Sequence, residues 1–160
     1  MNIKLNNIVF YFITVLLISS CTNTRKSSND ISFLFSNSEA DVAQHKLILN
    51  SGDWRLTEVN GQPVDSVNGE IPFIHLDDSG NISGTAGCNK FRSTFVLEKG
   101  NRIKFSSILS TKMACADMSV EDRLFPILDV ADNYNLNEYE LILNKAKMAP
   151  LAKFARMGNK

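Results

Sequence analysis

Eight residues, Gly84-Thr85-Ala86-Gly87-Cys88-Asn89-Lys90-Phe91, place two glycines, a cysteine, an asparagine and an aromatic ring between two segments that alternate like strands. That stretch restricts the fold more than any other. Ile71-Pro72-Phe73-Ile74-His75-Leu76 before it is apolar and β-rich, Asp77-Asp78-Ser79-Gly80 is a turn cluster, and Asn81 to Gly84 resumes as a strand. The first pair is therefore expected to be an antiparallel hairpin. A glycine inside or at the end of a strand marks a bulge or the close approach of another backbone, so Gly84 and Gly87 predict a bent strand with a non-standard exit. Asn89 suits such a loop, since its amide satisfies loop backbone groups, and Phe91 is expected to plug the loop into the core.

Cys88 has one clear partner, Cys115 in Ser110-Thr111-Lys112-Met113-Ala114-Cys115. A bond between them would close a loop of 28 residues, counting both ends. The chain-entropy model gives such a closure about 3.5 kcal/mol. The competing reading makes Cys88 a nucleophile served by His75 or His45. That chemistry needs a base within hydrogen-bond reach and a third group to orient it, and the spacing supplies neither.

Taken together, Gly84 to Phe91 and Ser110 to Cys115 resemble the paired signature of META domains, the family of the HslJ-like heat-inducible bacterial lipoproteins. Trp54-Arg55-Leu56-Thr57-Glu58-Val59-Asn60-Gly61 and Leu151-Ala152-Lys153-Phe154 are similar to the family's first and last strands. The resemblance implies a mainly β (α+β) domain over residues 47–157: a small antiparallel, barrel-like sheet with one helix packed on it, carrying no established enzymatic activity. The chain departs from the family pattern at Ser93, where a glycine is usual, and at Pro126, inside the expected helix.

The first twenty residues read as a targeting segment. Lys4 lies in a short polar start, Ile8 to Ile18 is apolar apart from Thr14, and Ser19-Ser20 precede Cys21. Eleven residues are too few to span a bilayer of about 30 Å and suit a signal-peptide h-region. Ile18-Ser19-Ser20-Cys21 resembles the bacterial lipobox, which implies cleavage and acylation of Cys21; several acyl chains make a stable anchor. Lipidation of Cys21 would leave an even pair of cysteines, as expected in an oxidising compartment. Residues 21–46 then read as the lipidated cysteine and a polar tether, interrupted by the apolar Ile31 to Phe35. Ser38 to Asp41 resembles a helix start, cut short because Lys46 to Leu49 reads as a strand.

Trp54, Leu56 and Val59 form the expected inward face of the first strand, with Asn60-Gly61 as its turn. Ser93 to Leu97 and Arg102 to Ser106 predict a second hairpin with one wet face. Ser119 to Val130 is the clearest helix: Ser119 as cap, Glu121 and Asp122 at its positive end, Val120, Leu124, Ile127 and Leu128 as its stripe. Pro126 is expected to kink or split it. Short strands follow at Asn133 to Leu136, Tyr139 to Leu143 and Leu151 to Met157.

Without residues 1–20 the chain carries 16 basic and 17 acidic side chains, a balance that offers no electrostatic footprint for nucleic acid. No nucleophile elbow, dinucleotide fingerprint, P-loop, His-Glu-x-x-His or Cys-x-x-Cys occurs. The reading predicts neither a catalytic set, a cofactor nor a metal. It predicts an envelope lipoprotein, held at the periplasmic face of the outer membrane, that binds a small molecule or an envelope protein in envelope maintenance or stress response. The alternatives are an assembly-assisting lipoprotein and a thiol enzyme using Cys88. The expected contact patch is Gly87, Asn89, Phe91, Thr111, Lys112 and Met113, with Lys112 a candidate anion holder beside Thr111.

Overall fold

A computed structural model describes residues 39–146 and 148–158. The expected signal segment 1–20, Cys21, Ile31 to Phe35 and the Ser38 cap lie outside the described residues. The described chain runs α1 (Glu39–Leu49), β1 (Asp53–Val59), β2 (Gln62–Pro63), β3 (Phe73–Leu76), β4 (Asn81–Thr85), β5 (Lys90–Glu98), β6 (Arg102–Phe105), β7 (Leu109–Ser110), α2 (Ser119–Val130), β8 (Asn133–Leu136), β9 (Glu140–Asn144) and β10 (Ala152–Arg156).

Every strand pairing is antiparallel. The order β1-β3-β4-β5-β6-β8-β9-β10 returns to β1 through a β10–β1 ladder, which closes an eight-stranded barrel; β2 and β7 hang on β1 and β5. Closure leaves the ring without a free edge. The inward positions supply the core: Trp54, Leu56, Ile74, Leu76, Ile82, Tyr134, Leu141, Leu143 and Phe154 are all buried. Along β1 the inward residues are Trp54, Leu56 and Val59, an odd final step. A bulge at Thr57 accounts for it, because the ladder to β10 jumps from Leu56 to Glu58 and the extra residue turns Val59 inward. Asn60 and Gly61 both take positive φ, 49° and 75°, as a tight hairpin turn requires.

The ring is uneven. Most neighbours share four or five residue pairs, but β6 and β8 share one, Arg102 opposite Asn133. The two strands are staggered and overlap only where each begins. Helices cover the rest: α2 packs beside β6, and His45 of α1 lies edge-on to the ring of Tyr134 on β8, 5.4 Å between centroids.

Three local expectations are corrected. Lys46 to Leu49 is the last turn of α1, not a strand, and so part of the expected tether is helical. Leu49 is wholly buried there, and its carbonyl accepts the Trp54 indole N–H at 3.0 Å, which ties α1 to β1. Ser119 does not cap α2; Met118 holds the cap position, and the Asp117 carboxylate accepts the Ser119 N–H at 2.8 Å. Pro126 leaves α2 continuous through Val130. The carbonyl it deprives of a partner is that of Asp122, which is exposed, so water can replace the lost bond.

Candidate functional site

The two signature loops meet at one corner of the barrel. Gly84 sits in β4 opposite Ile74, and a Cβ there would lie 2.1 Å from the Phe73 carbonyl oxygen. Only glycine permits that approach. Gly87 has φ +99°, and a Cβ would meet Val67 at 2.5 Å. The chain thus leaves β4, folds tightly against the 67–70 bridge, and re-enters as β5 at Lys90.

Between those points stand Cys88 and Asn89. Cys88 is bonded to Cys115, with Cα atoms 5.9 Å apart. Asn89 is almost fully buried and uses its whole amide. Its Oδ1 accepts the Thr111 hydroxyl at 2.7 Å and the Met113 N–H at 2.8 Å, while its Nδ2 donates to the Met113 carbonyl at 3.1 Å and to Glu121 Oε1 at 2.9 Å. The Asn89 N–H donates to Glu121 Oε2 at 3.0 Å. Glu121 therefore receives Asn89 with both oxygens. Expected only to serve the positive end of the helix, it is buried, because it shares the inward face of α2 with Leu124 and Leu128, three and seven residues on. Asn68 completes the corner: its amide donates to the carbonyls of Gly87 and Asp117, at 3.2 and 2.7 Å, and accepts the Asp117 N–H.

This latch changes the expected contact patch. Gly87, Asn89 and Phe91 are buried, the last against Phe125 with ring centroids 5.2 Å apart, so none of the three offers a side chain to a partner. Thr111, Lys112 and Met113 remain at the surface. Lys112 is exposed, and Thr111 Oγ1 is occupied as donor to Asn89 and as acceptor from the Lys90 N–H at 3.2 Å. Each histidine is hydrogen-bonded to a residue other than the cysteines. His75 Nδ1 is 2.8 Å from Asp53 Oδ1, and His45 Nδ1 is 2.7 Å from the Tyr134 hydroxyl. Desolvation lowers the His45 pKa, partly opposed by Asp41, and desolvation likewise pushes Tyr134 up to about 12. Among the described residues no three His, Cys, Asp or Glu side chains converge as a metal set.

Sequence reasoning missed the Glu121 role and the Asn68 clamp. The first was within reach, since the spacing of Glu121 from Leu124 and Leu128 already placed it on the buried stripe. The second had no signal, because Asn68 reaches the latch through a loop.

Beside the latch, the outer barrel surface between β3 and β7 is furrowed by three clefts of about 690, 460 and 460 Å³. Ser83 lines all three, Lys90 two of them, and Arg92 two.

A small closed barrel with a disulfide-bonded loop corner and an open outer furrow is the class these features define. The chain belongs to the META-domain family, whose model matches residues 47–158. Its fold is similar to that of a protein solved by NMR, at 24% identity over 68% of this chain and 91% of that one, with a TM-score of 0.55. A protein from Burkholderia xenovorans, also solved by NMR, is similar at 18% identity, covering 72% and 88% of the two chains, TM-score 0.58. A DUF4847 family protein from Bacteroides vulgatus, seen in a crystal, is similar at 16% identity over 72% and 99%, TM-score 0.53. At these identities the likeness concerns the fold. No curated protein matches the chain.

Proposed function

We propose that this protein is a non-catalytic binding module of the bacterial envelope, lipid-anchored through Cys21 at the periplasmic face of the outer membrane and acting in envelope maintenance or stress response. The observation that carries the reading is the latch. The residues with the richest chemistry, Cys88, Asn89 and Glu121, are each held in bonds that fix loop shape, and the face beside them is furrowed. A disulfide also suits an oxidising compartment. Among the described residues no helix is long and apolar enough to cross a membrane, so attachment in this reading rests on the acylated cysteine. Intact mass spectrometry of the exported protein, before and after reduction, tests the anchor: the reading expects a mass gain from acyl chains on a chain starting at Cys21, and an unmodified amine there removes it. A photo-crosslinking side chain at exposed Leu109, activated in living cells, tests binding. Reproducible adducts are expected, and their absence counts against a binding role.

A further inference from the structure

The furrow beside the latch has its own chemistry. Lys90 and Arg92 stand two apart on β5, so both project outward while Phe91 between them points into the core. Ser83 is in register with Arg92 on the β4 side, and Leu109 on the β7 side. Among the described residues, neither cation has a carboxylate within ion-pair distance. The one acid lining the furrow is Glu70, whose Oε2 lies 3.4 Å from the hydroxyl of Thr85, the register partner of Lys90. The surface is thus a hydroxyl-bearing channel that follows the strands, with two cations against one acid.

The ladder restricts what can lie there. β5 is paired to β4 on one side and to β7 and β6 on the other, so its backbone groups at Phe91 and Arg92 are committed. A peptide cannot add along β5 as a strand, because that mode needs a free edge and β7, paired to β5 alone, offers one only two residues long. Recognition must come from side chains standing off the sheet: two cations, hydroxyls, and the half-buried ring of Phe73. That set fits a ligand offering carboxylates and many hydroxyls along an extended chain. We propose that the furrow binds an acidic oligosaccharide of the uronic-acid type. Arg92 and Lys90 pair its carboxylates, Arg92 through its planar fork, and Ser83 hydrogen-bonds a hydroxyl. This deepens, and rests on, the binding-module reading.

Calorimetric titration of the full chain in detergent, using a hexamer of galacturonic acid, is the test. Micromolar to millimolar binding is expected, weakened about tenfold by Arg92→Gln and by Lys90→Gln, the size of one charge-assisted contact. Both side chains are exposed, so folding is not at stake. Neutral maltohexaose is expected to give no heat, and oligoglutamate of equal charge to bind at least tenfold more weakly. Absent hexamer binding, equal binding of oligoglutamate, or unchanged affinity in both variants overturns the proposal. If the hexamer fails while the Leu109 crosslinker still captures adducts in cells, the ligand class is wrong and the binding role stands; failure of both removes both.

Discussion

Two corners of the barrel solve the same problem in opposite ways. At the latch, the β4–β5 turn is joined by a covalent bond to the loop ahead of α2, and to the first turn of α2 by a saturated amide–carboxylate pair with almost no solvent access. At the β6–β8 seam, closure relies on one residue pair, two flanking backbone bonds of 3.3 and 2.9 Å, and an Arg102–Asp132 contact of 3.7 Å between half-exposed side chains. The difference teaches where order is specified. A loop without ladder bonds must be fixed by side chains that leave nothing unsatisfied. A seam between strands can be thin if helices cover what lies beyond it.

The sharpest break of that contrast is Asn89→Ala. It removes the side-chain half of the two bonds that Asn89 makes to the buried Glu121 carboxylate, and it leaves the Met113 N–H without its acceptor. Roughly 3–4 kcal/mol of stability should be lost, read by urea unfolding, since each buried orphan costs about 1–3 kcal/mol and more when charged. A cost below about 1 kcal/mol would mean water enters and the latch is ornamental. Next in size is the disulfide. Reducing it, or replacing both cysteines with alanine, should cost about 3.5 kcal/mol by the chain-entropy model. Thermal unfolding with and without reductant measures this, and an unchanged midpoint would show that the Asn89–Glu121 pair alone fixes the loops.

Much of this corner was legible because its residues are unusual types for a strand exit. Two glycines and a cysteine demand a bend and a partner, and the alternation on each side fixes the strands. The barrel's closure was carried by the family resemblance rather than by periodicity, since pairing of β1 with β10 joins residues about a hundred apart. Local pattern also misassigned Lys46 to Leu49, where three apolar residues beside a lysine fit either period. Burial of Leu49 and the bond from the Trp54 indole to its carbonyl, both tertiary events, selected the helix. The furrow could not be read at all: Lys90, Arg92 and Ser83 look like ordinary wet-face residues until register places them side by side.

On the seam side, His45 makes the contrast depend on pH. An unfolded histidine takes up a proton near pH 6.5, while burial holds the folded His45 pKa lower. The unfolded state therefore binds more protons through that window, so stability present at neutral pH declines as pH falls through about 6.5 towards the folded value. His45→Phe removes that contribution. The variant's unfolding midpoint should vary less between pH 7.5 and 5.5 than the parent's, and equal slopes would locate the pH response elsewhere.

The smallest expected effect concerns Arg102. Its guanidinium lies 3.7 Å from Asp132, yet both side chains see solvent, and exposed pairs contribute about 0–1 kcal/mol. Asp132 is meanwhile held mainly by the Ala146 N–H, which heads the causes lowering its pKa, with Asn133 and Arg102 adding less. Arg102→Ala should therefore cost under about 0.5 kcal/mol, and the difference should shrink at 0.5 M salt, where the screening length is only a few ångströms. Hydrogen exchange gives the comparison its finer form. The amides of Ile103 and Tyr134 at the seam should exchange faster than those of Asn89 and Met113 at the latch, because opening the seam breaks one pair and opening the latch breaks the several bonds of Asn89 to Glu121 and Met113. Reversed protection, or a loss above about 1.5 kcal/mol in Arg102→Ala, would mean that the thin seam holds the barrel shut by itself and the helices do not.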